Sequence, residues 1–139
     1  MTDQILNPSR LPLSARQMLV LVGYGAIAWF AAALLIRFLG PLGVFDGATR
    51  LLTYALVIPG TVPLVLGARW LAGLRRDQIG LGMAVSTTTA TLLDGVALAW
   101  FPALYGDTVA LVAAAGAVIL WGAGVGMAIG FAMNATGTK

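Results

Sequence analysis

The chain is 139 residues long, room for one domain, with 60% apolar and only 9% charged residues, where a water-soluble domain carries about 25% charged. It has no cysteine and no histidine, which excludes disulfides, thiol nucleophiles, Fe–S clusters and imidazole as a metal ligand or general base, so we expect no catalytic centre, no metal and no cofactor. The net charge of +3 comes from cations scattered over helix ends; they form no basic stripe, and the expected partner is the lipid bilayer, not nucleic acid.

Residues 1–17 are polar and irregular, and Pro8 and Pro12 exclude a long helix there. Ser14-Ala15-Arg16-Gln17 reads as a capping box opening the first span, 18–39, which is apolar apart from Arg37. About 20 residues at 1.5 Å rise cross a hydrocarbon core of about 30 Å, so this segment is long enough to span. It also exceeds the roughly 7–15 apolar residues of a cleaved signal peptide. Gly40-Pro41-Leu42-Gly43 and Asp46-Gly47 break the chain before the second span, 51–71. Pro59 and Pro63 lie on one face of that helix. Each frees a carbonyl one turn earlier, near Ala55 and Pro59, which predicts a kink and a donor inside the bundle. Arg75-Arg76-Asp77-Gln78 is a short polar loop, with Asp77 as candidate N-cap of the third span, 79–101. Phe101-Pro102 and Tyr105-Gly106-Asp107 end it. The fourth span covers 108–133, and 134–139 form a polar tail. The expected fold is all-α: a four-helix transmembrane bundle with helix two kinked by its prolines.

With four spans, both termini and the second loop share one side. That side carries Arg10, Arg16, Arg69, Arg75, Arg76 and Lys139; the other carries only Arg37 and Arg50. The positive-inside rule places the first group in the cytoplasm. Trp70 at the inner boundary, and Trp100 and Tyr105 at the outer one, read as interfacial anchors.

Asp94 is the residue that composition does not explain. It lies about halfway along helix three, where a charge costs about 2.5–3.5 kcal/mol on insertion scales. Helical spacing aligns Thr87, Thr91, Asp94 and Leu98, with hydroxyls of Ser86, Thr88 and Thr89 on neighbouring faces, so this stripe should face protein or trapped water. Three readings stay open: a protonated carboxyl bonded to a carbonyl released by Pro59 or Pro63, an ion pair with Arg37, or a titrating site for protons or a cationic substrate. Arg37 also has the simpler option of snorkelling to the outer headgroups. Gly122, Gly126 and Gly130 recur every four residues in helix four and suit close helix packing, within the chain or with another subunit. Gly23, Ala26, Ala28 and Ala32 of helix one are candidates to meet that surface. Trp29 and Trp121 fall mid-membrane, where the plain expectation is core packing with each indole N–H bonded to a carbonyl or hydroxyl.

The stretch Gly23–Gly40 with Trp29 and the ending Arg37-Phe38-Leu39-Gly40, the run Leu92-Leu93-Asp94 followed by Phe101-Pro102, and Leu120-Trp121-Gly122 together resemble domain-of-unknown-function family 5367, small four-span bacterial membrane proteins. Where its members often carry a proline before the Leu-Asp pair, this chain has Thr88 to Thr91. The resemblance implies the four-span topology and an Arg/Asp pair, and it implies no activity. The expectation is a non-enzymatic protein of the bacterial inner (cytoplasmic) membrane, a subunit or assembly factor partnered by other membrane-protein subunits or by itself. The alternative is a small homodimeric transporter or ion-coupled carrier using Asp94.

Overall fold

Each apolar run becomes one helix, and the clusters Gly40–Gly43, Arg75–Gln78 and Phe101–Asp107 become the turns between them. The computed structural model describes residues 12–135: α1 Ala15–Leu39, α2 Gly47–Ala72, α3 Ile79–Trp100 and α4 Val109–Ala135, joined through single 3-10 turns at Gly40–Leu42, Arg76–Gln78 and Pro102–Leu104. All four helices are long and apolar enough to cross a bilayer. The readings placed on Pro8, Arg10 and Lys139 lie outside the described residues. Below, the near end of the bundle holds the start of α1, the α2–α3 turn and the end of α4; the far end holds the other two turns.

The helix ends follow local chemistry. At α1 the capping box forms, with the Gln17 N–H donating to Ser14 Oγ at 3.2 Å and the Ser14 N–H to Gln17 Oε1 at 2.9 Å. α2 starts at Gly47, a turn before the predicted Leu51; its first turn is polar enough to fall outside an apolar count, and Thr53 ties it down by donating to the Val44 carbonyl at 2.7 Å. The helix ends at Gly73, whose φ of +59° gives the left-handed cap that lets Leu74 N–H reach the Arg69 carbonyl at 2.9 Å. Asp77 does not cap α3. It lies inside the 3-10 turn Arg76–Gln78, one residue before the N-cap position, and its carboxylate is held by the Arg75 guanidinium through bonds of 3.1 and 2.8 Å. α4 runs two residues beyond the predicted 133, because Asn134 anchors it by accepting from the Gly80 N–H at 3.0 Å.

α2 remains a single helix through Pro59 and Pro63. The donors that meet it come from its neighbours: the Trp121 indole N–H reaches the Tyr54 carbonyl at 3.0 Å, and the Tyr24 hydroxyl reaches the Leu64 carbonyl at 2.8 Å. Tyr54 lies one residue from the predicted Ala55 acceptor.

In cross-section α3 lies between α1 and α4, α2 packs against α4, and α2 meets α1 and α3 more loosely. Small residues set the close contacts. At Gly25 a Cβ would overlap the Ser86 carbonyl, and Ser86 Oγ donates to the Leu21 carbonyl at 3.2 Å. The α4 glycines face inward: a Cβ at Gly130 would lie 2.8 Å from Met83 Cγ, one at Gly126 3.4 Å from Thr61 Cγ2, and one at Gly122 3.9 Å from Val57 Cγ1. That row therefore seats α4 on α2 and α3. The expected meeting of helix one with helix four is replaced by α1 on α3, through Gly25 and not Gly23, which faces open space. Leu21, Val65, Ile79 and Met83 fill the near-end core, and Ala33, Ala97, Tyr105 and Ala115 the far-end one. Large apolar side chains such as Leu19, Leu51, Leu92 and Leu120 point outward, the pattern of a bundle solvated by lipid.

Candidate functional site

α3 carries Thr87, Thr91 and Asp94 along one face, and that face forms the inner wall of a cleft of about 560 Å³. α1 contributes Tyr24, Ala28, Trp29 and Ala32; α2 contributes Val57, Gly60 and Thr61; α4 contributes Gly122 and Gly126. The cleft exists because α2 is held on α4 and stands off from α1. Its inner wall is buried, with Ser86 at 4% and Asp94 at 8% exposure, whereas Leu35 of α1 and Leu56 of α2 line it and remain about 60% and 58% exposed. The opening is therefore lateral, between α1 and α2, toward lipid.

Asp94 lies fifteen residues after Ile79 and six before Trp100, so it is nearer the far end than the expected midpoint, about 9 Å in from the end of α3. The Tyr105 hydroxyl donates to Asp94 Oδ1 at 2.5 Å, and the Trp29 indole N–H donates to that same hydroxyl oxygen at 3.1 Å. Tyr105 reaches back because Pro102–Leu104 turns the chain immediately after α3. Its side chain is 1% exposed, not an interfacial anchor. Burial, and then the carboxylate beside it, push the Tyr105 phenol above its ordinary value, so it keeps its proton and remains a donor. Trp70 and Trp100 do stand at the surface, where interfacial indoles are expected.

No match to this chain is found among protein-family models, curated proteins or solved structures.

Arg37 does not pair with Asp94. Its Nη1 lies 2.7 Å from Asp107 Oδ1, in a geometry that makes an ion pair without a hydrogen bond. The physical reason is direction: Arg37 is two residues from the end of α1, and the outward path reaches the turn before α4 at less desolvation cost than the inward path to a buried carboxylate. Nor is Asp94 donating to a carbonyl freed by Pro59 or Pro63; its described partner is Tyr105. The threonines are largely self-satisfied, with Thr91 donating to the Thr87 carbonyl at 2.6 Å and Thr89 to the Val85 carbonyl at 3.0 Å. Both mid-membrane tryptophans behave as expected, with Trp29 bonded to a hydroxyl and Trp121 to a carbonyl. Among the described residues no cluster of acidic side chains has metal-binding geometry. The arrangement thus offers one carboxylate, braced from one side by a phenol, at the inner wall of a mostly apolar, lipid-open cleft.

Sequence reasoning missed Tyr105 and Gly25. The signal for Tyr105 was the Phe101-Pro102 turn that forces the chain back toward the helix it has left. For Gly25 there was none beyond its small size.

Proposed function

We propose that this is a non-enzymatic protein of the bacterial inner membrane that binds a largely apolar small molecule inside its own bundle, a small carrier working through Asp94. The observation that carries the reading is the cleft itself: about 560 Å³ lies within the roughly 300–1,000 Å³ of small-molecule sites, and such sites are mostly apolar with a few placed polar groups. The glycine row that would have suited another subunit is used inside the chain, against Val57, Thr61 and Met83. Among the described residues Arg16, Arg69, Arg75 and Arg76 belong to the near side and Arg37 and Arg50 to the far side, which supports a cytoplasmic near end, with the cleft across the middle of the bilayer and Asp94 in its outer half. The likeness of the Leu92-Leu93-Asp94 and Arg37-Phe38-Leu39-Gly40 runs to family 5367 supports the same four-span reading.

The test is native mass spectrometry of the protein taken from its own membranes, wild type against the cleft-filling variant Gly60→Phe. Gly60 lines the cleft, and a Cβ there meets open space, so a larger side chain has room at its wall. Small-molecule adducts present on the wild type and missing from the variant are expected; identical adduct patterns sink the proposal. The second reading, a subunit or assembly factor, is favoured by the many large apolar side chains exposed on the outer faces of the helices, which a partner helix covers as readily as lipid does. Purification in mild detergent tests it: a protein that elutes alone at monomer size counts against it.

A further inference from the structure

We infer that the ligand of the cleft is a lipophilic ammonium ion, with its charged nitrogen on Asp94 and its apolar body lying toward the α1/α2 opening. This rests on the reading of the cleft as a small-molecule site and names the chemistry it selects.

Three observations converge. The first is the charge inventory of the cleft. Asp94 is the charged residue among its lining, and no lysine or arginine joins it there. The nearest cation of α1 is committed elsewhere, with Arg37 on Asp107 at 2.7 Å. The second is the state of the carboxyl group. One oxygen is held by a phenol that donates, with the Trp29 indole behind it. That donor occupies one oxygen and leaves the other as the acceptor offered to a ligand. The third is the remaining surface. Trp29 and Tyr24 present aromatic rings, and Ala28, Ala32, Val57 and Gly60 present only carbon, a lining that suits an apolar body and adds cation–π attraction near Trp29. A neutral apolar molecule would leave that second oxygen facing hydrocarbon without a partner. An anion would add like-charge repulsion at low dielectric. An ammonium carried on an apolar frame answers both the charge and the lining, and the lateral opening lets it enter from the membrane, where such a molecule concentrates.

A matched pair of probes distinguishes the ammonium assignment from the small-molecule site on which it rests. Dehydroabietylamine and dehydroabietinol share a rigid tricyclic body and differ in an ammonium against a hydroxyl. Their binding to the full chain in nanodiscs of neutral phosphatidylcholine is to be followed by native mass spectrometry, with concentrations referred to the lipid phase. The amine is expected to bind at least tenfold more tightly than the alcohol, and Asp94→Asn to erase that ratio. Equal affinities on the wild type overturn the ammonium assignment but leave the cleft as an apolar site. Binding of neither probe overturns both. Because the amine-to-alcohol ratio is read on the wild type, the result stands whether or not the Asp94 variant folds. Gly60→Phe should reduce binding of both probes together, and undiminished binding in that variant would put the ligand outside the cleft.

Discussion

A single added methyl has the largest consequence where it would meet backbone and not a side chain. A Cβ at Gly25 would meet the carbonyl oxygen of Ser86, and also lie 3.1 Å from Ser86 Cα. Those atoms belong to backbone, so no rotamer change relieves the overlap; α1 and α3 must separate by about 1 Å to restore ordinary van der Waals distance. Separation also stretches the bond from Ser86 Oγ to the Leu21 carbonyl, now 3.2 Å, and unpacks Leu21, which is fully buried. Overpacking of this kind costs about 1–3 kcal/mol, and a weakened interhelical bond in a membrane adds about 0.6 kcal/mol. Against this, Gly→Ala within a helix returns about 0.5–1 kcal/mol. Gly25→Ala is therefore expected to destabilise by about 1–3 kcal/mol. Gly122→Ala, whose new methyl would sit 3.9 Å from Val57 Cγ1, should be neutral or stabilised by up to about 1 kcal/mol. Reversible unfolding in mixed micelles titrated with denaturing detergent, followed by tryptophan fluorescence, measures both. If Gly25→Ala proves as stable as the parent, or Gly122→Ala the worse of the two, the α1–α3 contact does not have the geometry described.

Three further expectations follow from the far end of the bundle. Tyr105→Phe removes the donor to Asp94 and should cost about 0.6–1.7 kcal/mol in the same unfolding assay; an unchanged midpoint would mean that the hydroxyl does not hold the carboxyl group. Asp107→Asn breaks an ion pair whose side chains are 32% and 70% exposed, so the loss should stay within about 1 kcal/mol and shrink further as salt is raised. A larger loss that salt does not diminish would refute the surface character of the pair. Asp94→Asn keeps an acceptor for Tyr105 and leaves Arg37 on Asp107, so the ligand-free protein should be stabilised, by about 1–3 kcal/mol once the insertion cost of the charge is removed; destabilisation on the same titration would restore Arg37 as the partner of Asp94.

What could be read from the sequence was what is local. Turn residues and apolar length placed all four helices, because a membrane span must satisfy its own backbone, and a run of about 20 apolar residues has one way to do so. The Ser14 capping box was legible for the same reason: its bonds run between residues three apart. The inward face of the α4 glycines was half legible, since the four-residue period announces a packing face without saying which helix meets it. The failures are all questions of rotation about helix axes. Arg37 and Asp94 stand at compatible heights, but height along parallel helices says nothing of azimuth, and Asp107 was the nearer and wetter partner. Tyr105 near a boundary defaults to the headgroups unless the path of the following turn is known, and that path depends on the Pro102–Leu104 geometry. The cleft was not legible at all, because it results from how α2 sits against α4 and away from α1.

The energetic position of Asp94 ties the stability expectations to the functional one. An ionised carboxylate in the span costs about 2.5–3.5 kcal/mol, while a hydrogen bond inside a membrane bundle returns about 0.6 kcal/mol on average and about 1.7 at most. The described bond from Tyr105 therefore recovers less than ionisation costs, so holding the charge requires a further partner. A residue retained for packing alone would not need a carboxylate: asparagine accepts the same bond in nearly the same volume at lower cost. The imbalance closes when a counter-charge reaches the second oxygen, and Asp94 lines the cleft through which one can arrive. Stability sacrificed at a ligand site and regained on binding is the pattern expected when a group is kept for what it holds. It follows that the amine probe should stabilise the wild-type protein more than it stabilises Asp94→Asn, even though the variant starts out the more stable of the two.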